Sequence, residues 1–553
     1  MYSDKENINI LTSLLVAHGV HHAVVCPGSR NAPITHNLCE CSDIDCVSVT
    51  DERSAAFIAM GMSQALAEPV VVCVTSGTAL LNTIPAAAEA FYQHLPLIII
   101  SADRPAAMIG QLQGQTLPQT DALGHFVRKA VSLPEPHDNT EQWYCNRLVN
   151  EALIAARQHG GGPVHINVPI TEPLFNFVIP SLSSERTVRL VPIKKSGGLL
   201  ENIAWKFLTA ERPMLVIGQL PYSVVNDYRE ELARLRSEVV VLQEQLSSDG
   251  TAPRHFDEAL VLVGSNPVYR PDFLIYLGDT VVSKRLKRFL QSFTPERTVV
   301  VNESGELTDV TMHATDLVEC SATDMIEALL KADGIRLEEN NSAFNKLWND
   351  VLDKFSVHCN NFQPEYSQML VVKELHKIIN NQQCHMQYAN STAVRLGQLY
   401  STHYINVNRG VNGIEGSLST AVGFASIVNK PTYCVIGDLS FFYDQNALWN
   451  NVPKNNLRIL LLNNSGGGIF HQLHGLQESP YRDGYVSAAH HASAKGICEE
   501  THVNYHAVTS KEQLADGLAW LTENNNGPRL LEVFTDAETD AQEMRRYAEH
   551  KSS

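Results

Sequence analysis

Val435–Trp449, VIGDLSFFYDQNALW, followed by Leu457–Phe470, LRILLLNNSGGGIF, decides how this chain is read. A short apolar run, Tyr433 to Ile436, ends on Gly437 and Asp438. A second, Leu457 to Leu462, ends on Asn463 and Asn464, the latter 26 positions after the aspartate. Apolar runs of this length predict buried strands of a parallel sheet. Two such strands end at one carboxyl edge, where open α/β sheets bind ligands. The Asp438 carboxylate, the Asn464 amide and the Gly466 carbonyl are hard oxygen donors. They suit Mg²⁺, which takes its remaining ligands from water and phosphate oxygens. The stretch predicts a metal clamping a diphosphate, against the plainer alternative of two ordinary strands with polar ends.

The chain has 553 residues, enough for roughly three to four domains. Hydrophobic residues make up 44% and charged residues 18%, the balance of a soluble globular protein. A formal net charge of −18 argues against a nucleic-acid partner, since a phosphate backbone needs a basic face. Small anionic substrates stay open, because a local arginine cluster can outweigh the global field. The 11 cysteines show no C-x-x-C pairing, and Cys39, Cys41 and Cys46 match no zinc spacing. They predict reduced thiols in a cytoplasmic protein. The start, MYSDKENINILTSLLVAHGV, has no basic n-region or small-residue cleavage site, and no apolar run approaches the ~20 residues of a membrane span.

Residues 7 to 180 alternate strand, glycine- or proline-rich turn and helix. HHAVVCPGSRNAP, VSVTDERSAAFIAMGMSQAL, PVVVCVTSGTALLNTIPAAAEAF and LPLIIISADRP are four such units, with a helix cap near Thr50 or Asp51. They predict a doubly wound parallel sheet. PSLSSERTVRLVPIKKSGG, from about 181 to 200, reads as a linker. A second α/β region follows, with predicted strands PMLVIG, EVVVLQE, ALVLVG and FLIYLGD. Residues 335 to 365 are polar and helical, and a third α/β region starts near 365.

Gly-Asp, a gap of this length and Asn-Asn form the signature of thiamine-diphosphate (ThDP) enzymes. The chain resembles the ThDP-dependent decarboxylase-like family along its whole length, although Leu439 stands where glycine is usual. GDLSFFYDQNAL with NNSGGGIF resembles in particular its carboligase branch in menaquinone biosynthesis. The resemblance implies three doubly wound parallel-sheet domains: pyrimidine-binding (1–180), central (190–345) and diphosphate-binding (360–553). It implies ThDP with Mg²⁺ or Mn²⁺ as cofactors. It implies a transferase that decarboxylates 2-oxoglutarate and adds the resulting four-carbon unit to isochorismate, releasing CO₂. It also implies a homodimer or homotetramer with sites at the dimer interface, and no nucleic-acid or membrane partner.

Site residues follow from the same resemblance. Glu52 on its own is a first-turn acid favourable to the helix dipole. In the family a glutamate at this place, supplied by the neighbouring subunit, hydrogen-bonds the pyrimidine N1′ and activates the cofactor. Ser391, Ile414, Gly437, Asp438, Leu439, Ser440, Asn464, Gly466 and Ile469 match cofactor positions. Of these, Asp438, Asn464 and Gly466 match metal ligands, and Ile414 props the cofactor's bent shape. Ser29, Arg30, Arg104, Gln115, Lys284 and Arg285 match the isochorismate side; Gln115 is the least regular match, because GQGQTLPQ departs from the usual Gly-Ala-x-Gln. Ser391, Arg395 and Arg409 match the 2-oxoglutarate side. Ile469, Phe470 and Leu473 match an apolar wall. Glu52, Arg30, Ser391, Arg395 and Arg409 are the expected catalytic set. Arginines fit because a guanidinium fork pairs carboxylates bidentately. An acetolactate-synthase-like enzyme, a simple 2-keto-acid decarboxylase and a non-catalytic diphosphate-binding relative remain open. The pairs His21-His22 and His490-His491 lack ligand spacing and are expected to be solvated or helix-terminal.

Overall fold

Strand-length apolar runs pair here into three wholly parallel sheets. The computed structural model describes residues 1–191, 198–248, 250, 255–264, 266–332, 339–473, 475–524 and 527–550. The first sheet has β1 (His22–Val25), β2 (Asp45–Ser48), β3 (Val70–Val74), β4 (Leu97–Asp103), β5 (Lys129–Ser132) and β6 (Val164–Pro169), in the order β2-β1-β3-β4-β6-β5. The second has β7 (Pro213–Ile217), β8 (Val240–Gln243), β9 (Phe273–Leu277), β10 (Arg297–Asn302) and β11 (Asp316–Glu319), ordered β8-β7-β9-β10-β11. The third has β12 (His385–Tyr388), β13 (Ile405–Val407), β14 (Thr432–Gly437), β15 (Leu457–Asn463), β16 (Asn504–Val508) and β17 (Arg529–Phe534), ordered β13-β12-β14-β15-β17-β16.

The first and third sheets thus share one strand order. In each, the chain leaves the first strand, adds a neighbour on one side and returns to the other side. That reversal makes a crevice at the carboxyl edge between the first and third strands, the place where such sheets bind ligands. Arg30 follows β1, Asn390 and Ser391 follow β12, and Asp438 follows β14.

One expected strand is a helix. The ALVLV of ALVLVG lies within the helix Phe256–Val263, and its glycine, Gly264, is the C-cap. An apolar run this short does not distinguish strand from buried helix. Asp257 and Glu258, in the first helical turn, favour the helix through its dipole. In the first two regions, strands β5, β6, β10 and β11 were not among the expected ones. The expected linker has no regular structure from 181 to 191; residues 192–197 lie outside the described residues, and a helix begins at Gly198. The expected cap is Asp51, whose carboxylate accepts from the Arg53 N–H at 3.0 Å. Among the described residues, no helix is long and apolar enough to cross a membrane.

The first and third sheets are joined by the helices Glu52–Leu66 and Ser417–Ile427, which cross backbone to backbone. A Cβ at Gly61 would lie 2.0 Å from the Thr420 carbonyl oxygen, and one at Gly423 2.0 Å from that of Ile58. Only glycine fits either place, so the crossing fixes how the two site-bearing sheets meet. Gly61→Ala is expected to destabilise the fold by about 1–3 kcal/mol, as overpacking does. Thermal unfolding checks this, and an unchanged midpoint contradicts it.

Candidate active site

Asp438 opens the short helix Asp438–Tyr443 and is 2% exposed. Its Oδ1 accepts the Leu439 N–H at 2.7 Å and its Oδ2 the Gly466 N–H at 2.9 Å. Burial pushes its carboxyl above the ordinary range, opposed by these amides and by His490. His490 Nδ1 accepts the Ala492 N–H at 3.1 Å, which leaves the ring hydrogen on Nε2, 3.4 Å from Asp438 Oδ2. The expectation of a merely solvated or helix-terminal histidine fails at this position: His490 lies against the candidate metal ligand. The exposed His21, by contrast, accords with it.

Asn464 is turned by its own amide. Its Nδ2 donates to Asp540 Oδ2 at 2.8 Å, so Oδ1 is the end left to face a cation. Asp540 is anchored by the Thr535 hydroxyl and the Gln368 N–H, both at 2.8 Å, and burial raises its carboxyl to about 6. Ser465, at φ +64°, makes the turn between Asn464 and Gly466, and the Gly467 N–H ties the loop to the Ser487 carbonyl at 2.7 Å. A Cβ at Gly437 would meet no atom within 4 Å, so open space adjoins the carboxylate. A buried carboxylate, an oriented amide oxygen and loop carbonyls beside open space are a donor set that fits Mg²⁺ holding a diphosphate.

A second cluster joins the central and third sheets. Arg395 Nη1 donates to the Ser391 carbonyl at 2.8 Å, with Ser391 at φ +65°. Arg409 Nη1 donates to Asn390 Oδ1 at 3.1 Å. Its Nε is buried with no partner among the described residues. Burial lowers both guanidinium pKa values, and Arg395 lowers that of Arg409 further. Lys287 is lowered too, by burial first and then by Arg409, with Lys284 adding to the repulsion. Glu244 organises the central side. Buried and pushed up to about 7, it accepts the Val282 and Ser283 N–H groups at 2.7 Å each and so sets the start of the helix Lys284–Gln291. Arg285 is exposed and paired with Asp257. Glu89, from the first domain, accepts the Gly410 N–H at 2.6 Å and the Val411 N–H at 2.7 Å, holding the Arg409 loop. Crowded cations with an unsatisfied guanidinium nitrogen are a receptor for carboxylates.

At the edge of the first sheet, Arg30 is 7% exposed and donates to the Ile170 carbonyl at 3.2 Å and to Glu172 at 3.1 Å. Arg104 Nη1 lies 3.9 Å from the same Glu172 oxygen. Ser29 and Gln115 are exposed; Gln115, at φ +57°, has its backbone against Gly77. Glu52 Oε2 accepts from Asn82 at 3.2 Å within its own domain. No described hydrogen bond joins Glu52 to Asp438 or Asn464. Its neighbours Asp51 and Arg53 do reach the third domain, at Asn446 (2.8 Å) and the Tyr443 carbonyl (2.7 Å). Leu439 is half-buried and Ser440 is buried in the Asp438 helix; Ile469 and Phe470 are half-buried, while Ile414 and Leu473 are 39% and 45% exposed.

The structure therefore gathers Asp438, Asn464 and Gly466 at one point, and Ser391, Arg395, Arg409 and Lys287 at another, with the exposed Lys284 one helical turn before Lys287. Ser29, Arg30, Arg104, Gln115 and Glu52 stay on the edge of the first sheet. Sequence reasoning missed Lys287, Glu244, His490 and Asp540. A signal existed for Lys287, because KRLKRFL puts it on the same helical face as Lys284.

Two family models match the chain. The thiamine pyrophosphate enzyme N-terminal TPP binding domain matches residues 8–124, and the C-terminal TPP binding domain matches residues 384–533. The chain is thus a thiamine pyrophosphate enzyme. A relative from Bacteroides thetaiotaomicron, named 2-succinyl-5-enolpyruvyl-6-hydroxy-3-cyclohexene-1-carboxylate synthase, is 42% identical over 560 residues, covering 99% of each chain. Relatives of the same name from Phocaeicola vulgatus and Desulfotalea psychrophila are 41% and 34% identical, covering 99% and 96% of this chain and 98% of each relative. The chain belongs to the 2-succinyl-5-enolpyruvyl-6-hydroxy-3-cyclohexene-1-carboxylate synthase family, and it is a transferase that works with thiamine diphosphate on small molecules.

Asp540→Ala frees the Asn464 amide to rotate. It is expected to weaken Mg²⁺-dependent ThDP binding about 10–100-fold, as loss of a ligand-orienting partner does. Calorimetric titration checks this, and unchanged affinity contradicts it.

Proposed function

We propose that this chain decarboxylates 2-oxoglutarate and joins the remaining four-carbon unit to isochorismate, forming 2-succinyl-5-enolpyruvyl-6-hydroxy-3-cyclohexene-1-carboxylate and CO₂ in menaquinone biosynthesis. The observation that carries the reading is the cluster of Arg395, Arg409, Lys284 and Lys287 beside the metal edge. Two dianionic substrates need such a cluster, and a small monoanion such as pyruvate does not.

In this reading Asp438, Asn464 and Gly466 hold Mg²⁺ or Mn²⁺, and Gly437, Leu439 and Ser440 line the diphosphate. Bound ThDP supplies a nucleophilic carbon and an electron sink. Glu52, from the neighbouring subunit of a homodimer or homotetramer, holds the proton on the pyrimidine N1′. Its bond to Asn82 and the exposure of Ile414 on a single protomer support a site completed across an interface. Ile414 and Ile469 pack against the cofactor rings. Arg395 and Arg409, with Ser391, grip the carboxylates of 2-oxoglutarate.

Ser29, Arg30, Arg104, Gln115, Lys284 and Arg285 receive isochorismate. Glu172, whose side chain is 69% exposed, now occupies Arg30 and reaches toward Arg104; it yields to a substrate carboxylate at little cost because it moves into water. Ile469, Phe470 and Leu473 keep the reacting carbon dry, which favours loss of CO₂ from a charged precursor. Residues 1–180 serve as the pyrimidine-binding domain, 190–345 as the central domain and 360–553 as the diphosphate-binding domain. Eleven cysteines without a disulfide among them suit a cytoplasmic enzyme.

The test is CO₂ release from 2-oxoglutarate with ThDP and Mg²⁺, with and without isochorismate. Acceleration by isochorismate, with the two substrates consumed one to one, is expected. Activity on pyruvate but none on 2-oxoglutarate contradicts the substrate assignment. Arg395→Ala is expected to raise KM for 2-oxoglutarate by at least about tenfold, the loss of one charged hydrogen bond, with KM for isochorismate little changed.

A further inference from the structure

Away from the carboxyl edges, His255, Glu258 and Cys359 bring a ring nitrogen, a carboxylate oxygen and a thiol sulfur within 4.8 Å of one another. All three residues are buried, and among the described residues no other such group of three occurs. His255 caps the helix Phe256–Val263 in left-handed backbone, at φ +71°. Glu258 lies in the first turn of that helix, on the same face. Cys359 arrives from the end of the long helix Glu339–Asn361, which leads toward the third sheet.

The imidazole carries the inference. The His255 side chain is 1% exposed, and neither Nδ1 nor Nε2 has a hydrogen-bond partner among the described residues. Nδ1 lies 3.7 Å from Glu258 Oε2, beyond hydrogen-bond reach. A buried polar atom left without a partner costs about 1–3 kcal/mol, and here the ring also sits on a backbone that side chains rarely adopt. The Tyr400 hydroxyl, buried and without a partner among the described residues, faces the same group and lies within electrostatic reach of Cys359 and Glu258. A cation placed here would satisfy the His255 ring and the Tyr400 hydroxyl together.

We propose that His255, Glu258 and Cys359 form a zinc site that ties the central domain to the helix leading into the third sheet. Nitrogen, oxygen and sulfur donors in one cluster select Zn²⁺ over Mg²⁺, which takes oxygen alone. On binding, the Cys359 thiol releases its proton to solvent. The thiolate and the Glu258 carboxylate then cancel the two charges of the ion, so the buried site is neutral, as a low-dielectric interior requires. Water or the Tyr400 hydroxyl takes the fourth position. The role is structural, because the cluster is closed and holds no residue of the ThDP site.

The probe is Co²⁺, whose visible absorption reports coordination and whose charge-transfer band reports a thiolate ligand. Chelator-stripped full-length protein, with Mg²⁺ present to fill the diphosphate edge, is titrated with Co²⁺ and then Zn²⁺. One equivalent of Co²⁺ with a thiolate band, displaced by Zn²⁺, is expected. Cys359→Ser should lose the band, and His255→Gln should bind at least about tenfold more weakly, with far-ultraviolet circular dichroism unchanged. Asp438→Asn should keep the band, which separates this site from the ThDP edge. Zn²⁺ should raise the thermal midpoint of the stripped wild type but not that of Cys359→Ser. Absence of stoichiometric uptake by the wild type, or a thiolate band that survives in Cys359→Ser, overturns the proposal.

Discussion

The Asp438 carboxylate is held almost dry by one amide from its own helix and one from the loop after the neighbouring strand. That pair of bonds ties the ends of β14 and β15 together and turns a sheet edge into a site. Burial by itself would favour the neutral acid, and its direction of shift shows this. A divalent cation reverses the preference, because it becomes the largest local charge. The loop, the turn at Ser465 and the Asp540–Asn464 bond all place oxygen atoms where such a cation would sit. The carboxylate is costly to bury without the ion and well matched with it.

Around that point the molecule repeats one plan. The first and third sheets share a strand order, so each has a crevice in the same topological place. One crevice carries Asp438 and Ser391, and the other carries Arg30. The central sheet adds the Lys284–Gln291 helix, set by buried Glu244, and so delivers Lys287 to Arg409. The glycine crossing of the helices Glu52–Leu66 and Ser417–Ile427 holds the outer sheets in register. The chemistry is distributed, but the geometry that assembles it is local and glycine-dependent.

Much of this was legible in the sequence where one short segment carries its own signal. Buried strands such as Leu97–Asp103 and Leu457–Asn463 announce themselves as apolar runs with polar ends. ALVLVG does not, because a short apolar run fits either a strand or a buried helix. Lys129–Ser132 and Asp316–Glu319 are short, partly exposed strands whose pairing comes from their neighbours rather than from composition. At the site, Asp438 and Asn464 are marked by spacing. His490 and Asp540 are not, since each reaches its partner only after the loop and the last helix have folded. The donors His255 and Cys359 lie far apart in the chain, and no spacing rule links them.

The most direct measurement is a calorimetric titration of ThDP into wild-type protein and Asp438→Asn, each with and without Mg²⁺. The account predicts tight binding that requires Mg²⁺ in the wild type and is lost in the variant. Equal affinity in both proteins, or binding indifferent to the metal, would contradict it.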